Sequence, residues 1–307
     1  MNKVKNYKPS VFVIDFGSQT TQLILRRIRE IGVYCEVISY KDLDKILKKP
    51  PKALIFSGGP SSAFLKNAPR VNKGIYKLGI PILGICYGMQ IICEQLNGQV
   101  KVTKKREFGK ARIKLLMNNK LFSGILKVKS YSQVWMSHGD EVTKIPKGFD
   151  VLASTDSLKV AAIGNAKKNI YGLQFHPEVI HTLKGKNILE NFIFKIAKIK
   201  IDWKIKDFLD IQLNKIRNTV KDEKVVCGLS GGVDSSVAAA LISRAIGKNL
   251  ICIFVNHGLL RKNEEKEVIT NFKKYTKAKL VYINAKNEFL LKLKGVKEPE
   301  KKRKIIG

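Results

Sequence analysis

Cys86 stands in Gly84-Ile85-Cys86-Tyr87-Gly88, where the apolar run 81–85 gives way to a segment of helical character that begins near Tyr87. A nucleophile with a glycine two positions to either side, at a strand-to-helix junction, has the form of a nucleophile elbow, here with sulfur in place of a serine oxygen. The glycines are needed because the turn is tight and other backbone packs close to it. The helix that follows would aim its free N–H groups and positive end at the sulfur, which favours the thiolate. A lone cysteine is more commonly buried core at a strand end, and it is the glycine frame that turns the reading towards a nucleophile.

A thiolate that attacks a carboxamide needs a proton shuttle to release ammonia. The chain has four histidines, His138, His176, His181 and His257. His176 lies in Gln174-Phe175-His176-Pro177-Glu178, directly after an apolar strand at 170–175, and strand ends are where α/β sites assemble. Glu178 is near enough to orient the imidazole and stabilise its cation, and Pro177 fixes the backbone between them. H-P-E alone says little, but with the elbow it becomes a Cys–His–Glu relay. Ser57-Gly58-Gly59-Pro60 follows another strand at 53–57, and glycines there can point backbone N–H groups at a developing oxyanion.

A second cluster begins after the strand at 224–229, in Ser230-Gly231-Gly232-Val233-Asp234-Ser235-Ser236, followed by an Ala-rich helix. Small residues let backbone wrap a phosphate, and the helix N-terminus adds N–H donors. The three serine hydroxyls are further donors, and Asp234 can hold a magnesium ion between phosphates. The absence of G-K-[ST] excludes the Walker pattern.

The first set of segments resembles the class I, triad-type glutamine amidotransferases. That resemblance implies Cys86 as nucleophile, His176 as general base and acid, and Glu178 as its orienter. It also implies the N–H groups of Gly59 and Tyr87 as oxyanion donors, with Gln90 and Ser137-His138-Gly139-Asp140 around the substrate glutamine. The second set resembles the S-G-G-x-D-S loop of the PP-loop ATP pyrophosphatases, which cleave ATP between its α- and β-phosphates and adenylate a substrate. An amidotransferase followed by a PP-loop, with Phe254–Glu264 (FVNHGLLRKNE) and Glu298–Gly307 (EPEKKRKIIG), resembles the glutamine-hydrolysing GMP synthase family. The substrates implied are glutamine, ATP with Mg2+ and xanthosine monophosphate, with no prosthetic group. ATP would contact Ser230, Gly231, Gly232, Val233, Asp234, Ser235 and Ser236, with Val255 at the adenine and Arg261 at the acceptor nucleotide. The basic run 301–304 reads equally as a segment over the nucleotide or as a solvated helix face. Position 256 is Asn where the family commonly has Asp.

These residues require an α/β scaffold. Short β-branched runs at 11–15, 34–39, 53–57 and 81–85 alternate with amphipathic stretches at 20–31 and 87–96. From 100 to 175 the pattern turns β-rich, with strands expected at 111–116, 151–154, 160–164 and 170–175, and a helix near 183–198 closes the unit. After a short charged linker, a helix at 203–220 precedes a βαβαβ pattern ending at 284, which predicts a parallel sheet. The expected organisation is a mixed-sheet amidotransferase domain over 8–199 and the N-terminal part of a parallel-sheet PP-loop domain over 203–307. The family's chains continue beyond this point into a C-terminal dimerisation domain, so a fragment, a split-gene half or a shortened product is expected.

Composition bounds the function class. With 44% hydrophobic and 27% charged residues, the chain is neither disordered nor low in complexity. No apolar run nears the roughly 20 residues of a membrane span, and the stretch 11–14, stopped by Asp15, is too short for a signal-peptide core, so a cytoplasmic protein is expected. Five cysteines, Cys35, Cys86, Cys93, Cys227 and Cys252, offer no zinc spacing and no even disulfide framework. A net charge of +33 raises a nucleic-acid partner. The basic residues are mostly scattered lysines, however, which fits codon bias better than dedicated readout. The alternatives left open are another PP-loop amidotransferase with a different acceptor, and a non-catalytic basic remnant that binds nucleic acid.

Overall fold

The computed structural model describes residues 8–307. It has two compact units, one ending at Lys204 and one running Ile205–Gly307.

In the first unit the strands β1 (Val11–Asp15), β2 (Cys35–Ser39), β3 (Ala53–Phe56), β4 (Ile82–Ile85) and β9 (Ile170–Leu173) are parallel, in the spatial order β2-β1-β3-β4-β9. The sheet continues antiparallel through β8 (Ala162–Asn165), β7 (Asp150–Ser154), β5 (Gln99–Leu115) and β6 (Tyr131–Lys144). The parallel strands read as apolar runs because both their faces are covered. Successive side chains go to opposite layers. Val11, Val13, Ile55 and Leu83 join Ile24 and Ile28 of α1 (Thr21–Glu30) in one core layer. Ile14, Leu54, Phe56 and Ile82 meet Met89 and Ile92 of α3 (Tyr87–Gln95) in the other. A short helix α2 (Asp44–Lys48) lies between β2 and β3 in sequence.

The structure corrects three sequence expectations. The strand expected at 111–116 is the end of a seventeen-residue strand, and β6, which pairs along it, was not expected at all. Lysines on β5 and the exposed Val102 and Phe108 hide the alternation that a half-buried strand shows. The helix expected near 183–198 is a short α4 (Gly185–Glu190) followed by a wider turn, Asn191–Ile196, in which Ala197 N–H bonds the carbonyl five residues back. Lastly, the helix expected from 203 starts at Ile205, because the N–H groups of Asp202 and Trp203 both bond Gly32 O and the Asp202 carboxylate accepts from Ser10 Oγ and Tyr34 N.

The second unit is a parallel sheet in the order β10 (Val225–Gly228), β11 (Leu250–Asn256), β12 (Lys279–Asn284). Around it run α5 (Ile205–Val220), α6 (Val233–Ile246), α7 (Glu264–Tyr275), α8 (Lys286–Leu293) and α9 (Pro299–Ile306). The alternation expected from sequence is present, and Leu229, Ala239, Leu250, Cys252, Phe254 and Phe272 form its core. Among the described residues, no helix is long and apolar enough to cross a membrane.

Candidate active site

Strand β4 ends at Ile85 and α3 begins at Tyr87, so the chain must turn within the single residue Cys86. Its backbone sits at φ +52°, ψ −107°, outside the regions an L-residue prefers and costing about 1–3 kcal/mol. The surroundings enforce it: Cys86 N–H bonds Leu173 O at 2.7 Å and Gln90 N–H bonds Cys86 O at 3.1 Å. The two glycines are required sterically. A Cβ on Gly84 would lie 2.5 Å from the carbonyl carbon of Gly88, and one on Gly88 would lie 2.4 Å from Phe56 O.

Beyond the end of neighbouring β9, the chain carries His176 to the same place. Its N–H bonds Trp135 O at 3.0 Å, and its carbonyl accepts from Thr182 Oγ1 at 2.6 Å. Thr182 Oγ1 in turn accepts from Trp135 N–H at 3.0 Å, tying the turn to β6. The ring Nδ1 lies 2.7 Å from Glu178 Oε1, and Glu178 is completely buried. Arg27 Nε, on α1, donates to the Glu178 carbonyl at 2.9 Å. Burial of the imidazole opposes its charged form, but hydrogen bonds to Cys86 and to Glu178, with the charges behind them, outweigh that and lift its pKa to about 10. Cys86 and His176, separated by ninety positions, are thus brought to the wall of one cavity.

Both open on a cavity of about 420 Å³. Gly59 and Ser137 line it as well, whereas the other residues expected around the substrate do not. Tyr87 is buried and its hydroxyl bonds Pro69 O at 2.6 Å, but as the first residue of α3 its N–H is one that a helix leaves without an internal partner. Gln90 Nε2 donates to Asp140 O at 3.0 Å and to Gln174 Oε1 at 3.3 Å. The His138 ring is turned to Asp140 O and Glu107, and Gly139 lies beside Arg106. Residues the sequence reading missed complete the wall: Gly17–Thr20 after β1, Trp135 on β6, and Val179. Gly17-Ser18-Gln19-Thr20 also follows the carboxyl end of a parallel strand, the same signal that pointed to 57–60.

In the second unit, β10 leads into Leu229, whose N–H bonds Ile253 O at 2.8 Å, and then into the serine–glycine turn. Gly231 adopts φ +83°, a conformation that only glycine takes freely, and Gly232 caps α6. Ser230 and Ser235 contact each other through their hydroxyls at 3.0 Å, and Ser235 and Ser236 both donate to Gly232 O. Val233 and Asp234 are exposed in the first turn of α6. A cavity of about 970 Å³ opens beside the turn, with Gly231, Ser236, Arg261, Val268 and Phe272 among its walls. Val255 lies near the carboxyl end of β11, paired with Ile283. Asn256, the departure noted in the sequence, donates to Glu265 Oε2 at 2.6 Å while its Oδ1 accepts from Gly258 N–H. Among the described residues no group of three or more His, Cys, Asp or Glu could hold a metal. The single carboxylate of Asp234 suits Mg2+, which takes one or two protein carboxylates and the rest of its ligands from phosphates and water.

A model of the class I glutamine amidotransferase family matches residues 12–196, and one of the NAD synthase family matches residues 203–300. The proteins of Caldicellulosiruptor saccharolyticus and Clostridium tetani named GMP synthase [glutamine-hydrolyzing] are 53% and 52% identical over 97% and 98% of this chain. The chain spans 58% of the length of these relatives. A solved structure from Thermoplasma acidophilum, described as that of a GMP synthase subunit, is 31% identical with a TM-score of 0.57 and covers 62% of this chain and 95% of its own. A glutamine amidotransferase from Thermotoga maritima shares the fold at 18% identity and a TM-score of 0.50, over 61% of this chain and 97% of its own.

Proposed function

The chain belongs to the class I glutamine amidotransferase family, and from that premise we propose that its first unit hydrolyses glutamine to supply ammonia within a glutamine-hydrolysing GMP synthase. The observation that carries the reading is that Cys86, at a strained turn, and His176, hydrogen-bonded to the buried Glu178, face one cavity. Cys86 gives its proton to His176, and the thiolate attacks the side-chain carbonyl carbon of glutamine. The N–H groups of Gly59 and Tyr87 receive the negative charge that develops on the carbonyl oxygen. His176 then protonates the departing nitrogen, which leaves as ammonia, and a glutamyl thioester remains on Cys86. Water enters, loses a proton to His176, attacks the thioester and releases glutamate with the thiolate restored. Glu178 fixes the imidazole and balances its charge at both stages.

The second unit is proposed to bind ATP on Ser230–Ser236. Backbone N–H groups at the start of α6 would meet the phosphates, Asp234 would hold Mg2+, Val255 would line the adenine site and Arg261 would approach the acceptor. A bound magnesium ion would offset charge on the phosphates. The acceptor proposed is xanthosine monophosphate, whose C2 oxygen takes the adenylyl group as pyrophosphate leaves. Ammonia then displaces AMP to give GMP. The match of residues 203–300 to the NAD synthase family supports a second reading in which another acceptor is adenylated. Glutamate release by purified protein and its Cys86→Ala variant tests the first unit. Pyrophosphate release with each acceptor, in the presence of ammonia, separates the two readings of the second.

A further inference from the structure

The sulfur of Cys86 has two hydrogen-bonded neighbours among the described residues, the Ser137 carbonyl and the side chain of Gln174. Gln174 Nε2 lies 3.7 Å from Sγ, within reach of an N–H···S bond, and Gln174 is fully buried. An amide can be turned end for end, so which end faces the sulfur must be decided by its other partners. Here the far end decides it. Asp140 O is a backbone carbonyl and can only accept, so Gln90, which is bonded to it at 3.0 Å, must present its Nε2 there. The same Nε2 lies 3.3 Å from Gln174, which must answer with its oxygen. The Gln174 nitrogen is thereby left facing Cys86.

The anchor is itself held. The His138 Nδ1 also lies on Asp140 O, at 3.0 Å, which fixes Nδ1 as a donor, and His138 Nε2 faces Glu107 Oε2 at 3.2 Å. Glu107 Oε1 accepts from the hydroxyls of Thr155 and Ser157. Strands β5 and β6, helix α3 and the residue that follows β9 thus converge on one amide orientation. The titratable groups facing this chain are His176, which shares the cavity wall with the sulfur, with Glu178 behind it, and His138, Glu107 and Asp140 at the opposite end. From β6 the neutral Ser137 carbonyl lies 3.5 Å from the sulfur.

We propose that Gln174 is a further catalytic residue of this site, donating a hydrogen bond to the Cys86 sulfur that stabilises the thiolate, in an orientation imposed by Gln90, Asp140 and the His138–Glu107 pair. An N–H donor in a water-poor site favours the charged form of its acceptor. The proposal rests on Cys86 being the nucleophile, but it concerns the sulfur itself and is tested without glutamine.

The test is the pH dependence of Cys86 alkylation by iodoacetamide, read on the Cys86 peptide by mass spectrometry, in the wild type, Gln174→Met and Gln174→Glu. Met keeps the volume and removes the donor, and Glu replaces the donor by an acceptor. The expected result is an alkylation midpoint raised by about one pH unit in Met and by more in Glu, with the thiolate fraction below the midpoint reduced roughly tenfold. An unchanged midpoint in both folded variants overturns the proposal. A wild-type measurement covers variants that do not fold: in protein labelled with [15N]glutamine, one side-chain NH2 pair must shift with the same midpoint as alkylation, and the absence of any such pair also overturns it. Retention of glutaminase activity by Cys86→Ala would instead remove the parent reading while leaving this result intact.

Discussion

The Nδ1 atom of His176 and the Oε1 atom of Glu178 lie 2.7 Å apart, with the carboxylate entirely out of water. A buried carboxylate costs several kcal/mol unless it is paired, so this contact places the imidazole in one tautomer and favours its cation. Glu178→Gln keeps the shape and removes the charge. Its glutamate release should fall by at least about a hundredfold, on the scale by which general acid–base groups contribute. The His176 titration, followed by NMR at the ring protons, should move below its wild-type value. An unmoved titration would mean that Glu178 does not act on the imidazole.

The raised pKa of His176, to which both Cys86 and Glu178 contribute, sets a pH dependence of stability. His176 is raised from 6.5 to about 10 in the folded chain, so the folded form holds the proton more tightly than the unfolded one. Its contribution is complete below about pH 6.5 and is lost as the pH climbs through 10. Urea midpoints of the wild type should decline between those limits more steeply than those of His176→Gln. Parallel slopes would contradict the assignment.

Steric need at the elbow gives a separate prediction. Alanine at Gly84 or Gly88 places a Cβ at 2.5 or 2.4 Å from backbone atoms, closer than any real contact. Each should destabilise the first unit by about 1–3 kcal/mol, as overpacking does, and abolish glutamate release. The urea midpoint, at unchanged slope, measures the first effect. Wild-type stability in either variant would remove the steric reason for the glycine frame.

Much of this was legible in the sequence for a physical reason. Strands such as 11–15 and 82–85 are buried on both faces, so they announce themselves as apolar runs, and the residues at their carboxyl ends are where side chains can converge. The glycines around Cys86 and the serine–glycine turn at 230–236 were legible because few other residues tolerate those geometries. The β5–β6 pair was obscured by its own composition, since lysines occupy many of the positions that would otherwise show alternation. Positions such as Trp135 and Val179 face the cavity only because of how β6 pairs and how the turn after His176 is tied down by Thr182. Gln90 and His138 carried side chains suited to a substrate, but Asp140 O engages both, with Gln174 bonded to Gln90 and Glu107 to His138 from positions remote in sequence.

In the second unit, Asn256 is matched to its neighbour. Its amide donates to the Glu265 carboxylate at 2.6 Å, which an aspartate could do only by keeping its proton. Asn256→Asp should cost the second unit about 1.5–3 kcal/mol at neutral pH, the range for losing a hydrogen bond to a charged group. Adding Glu265→Gln should restore most of it. Thermal unfolding of the single and double variants is the measurement, and a stable single variant would show that the pair does not couple.

Everything proposed for the first unit depends on sulfur 86 being the attacking atom, and one assay bears on that directly. Wild-type protein and Cys86→Ala, each shown to be folded, are incubated with glutamine and the glutamate formed is measured. The predicted result is steady glutamate release by the wild type and none above background from the variant. Equal release by both would contradict it.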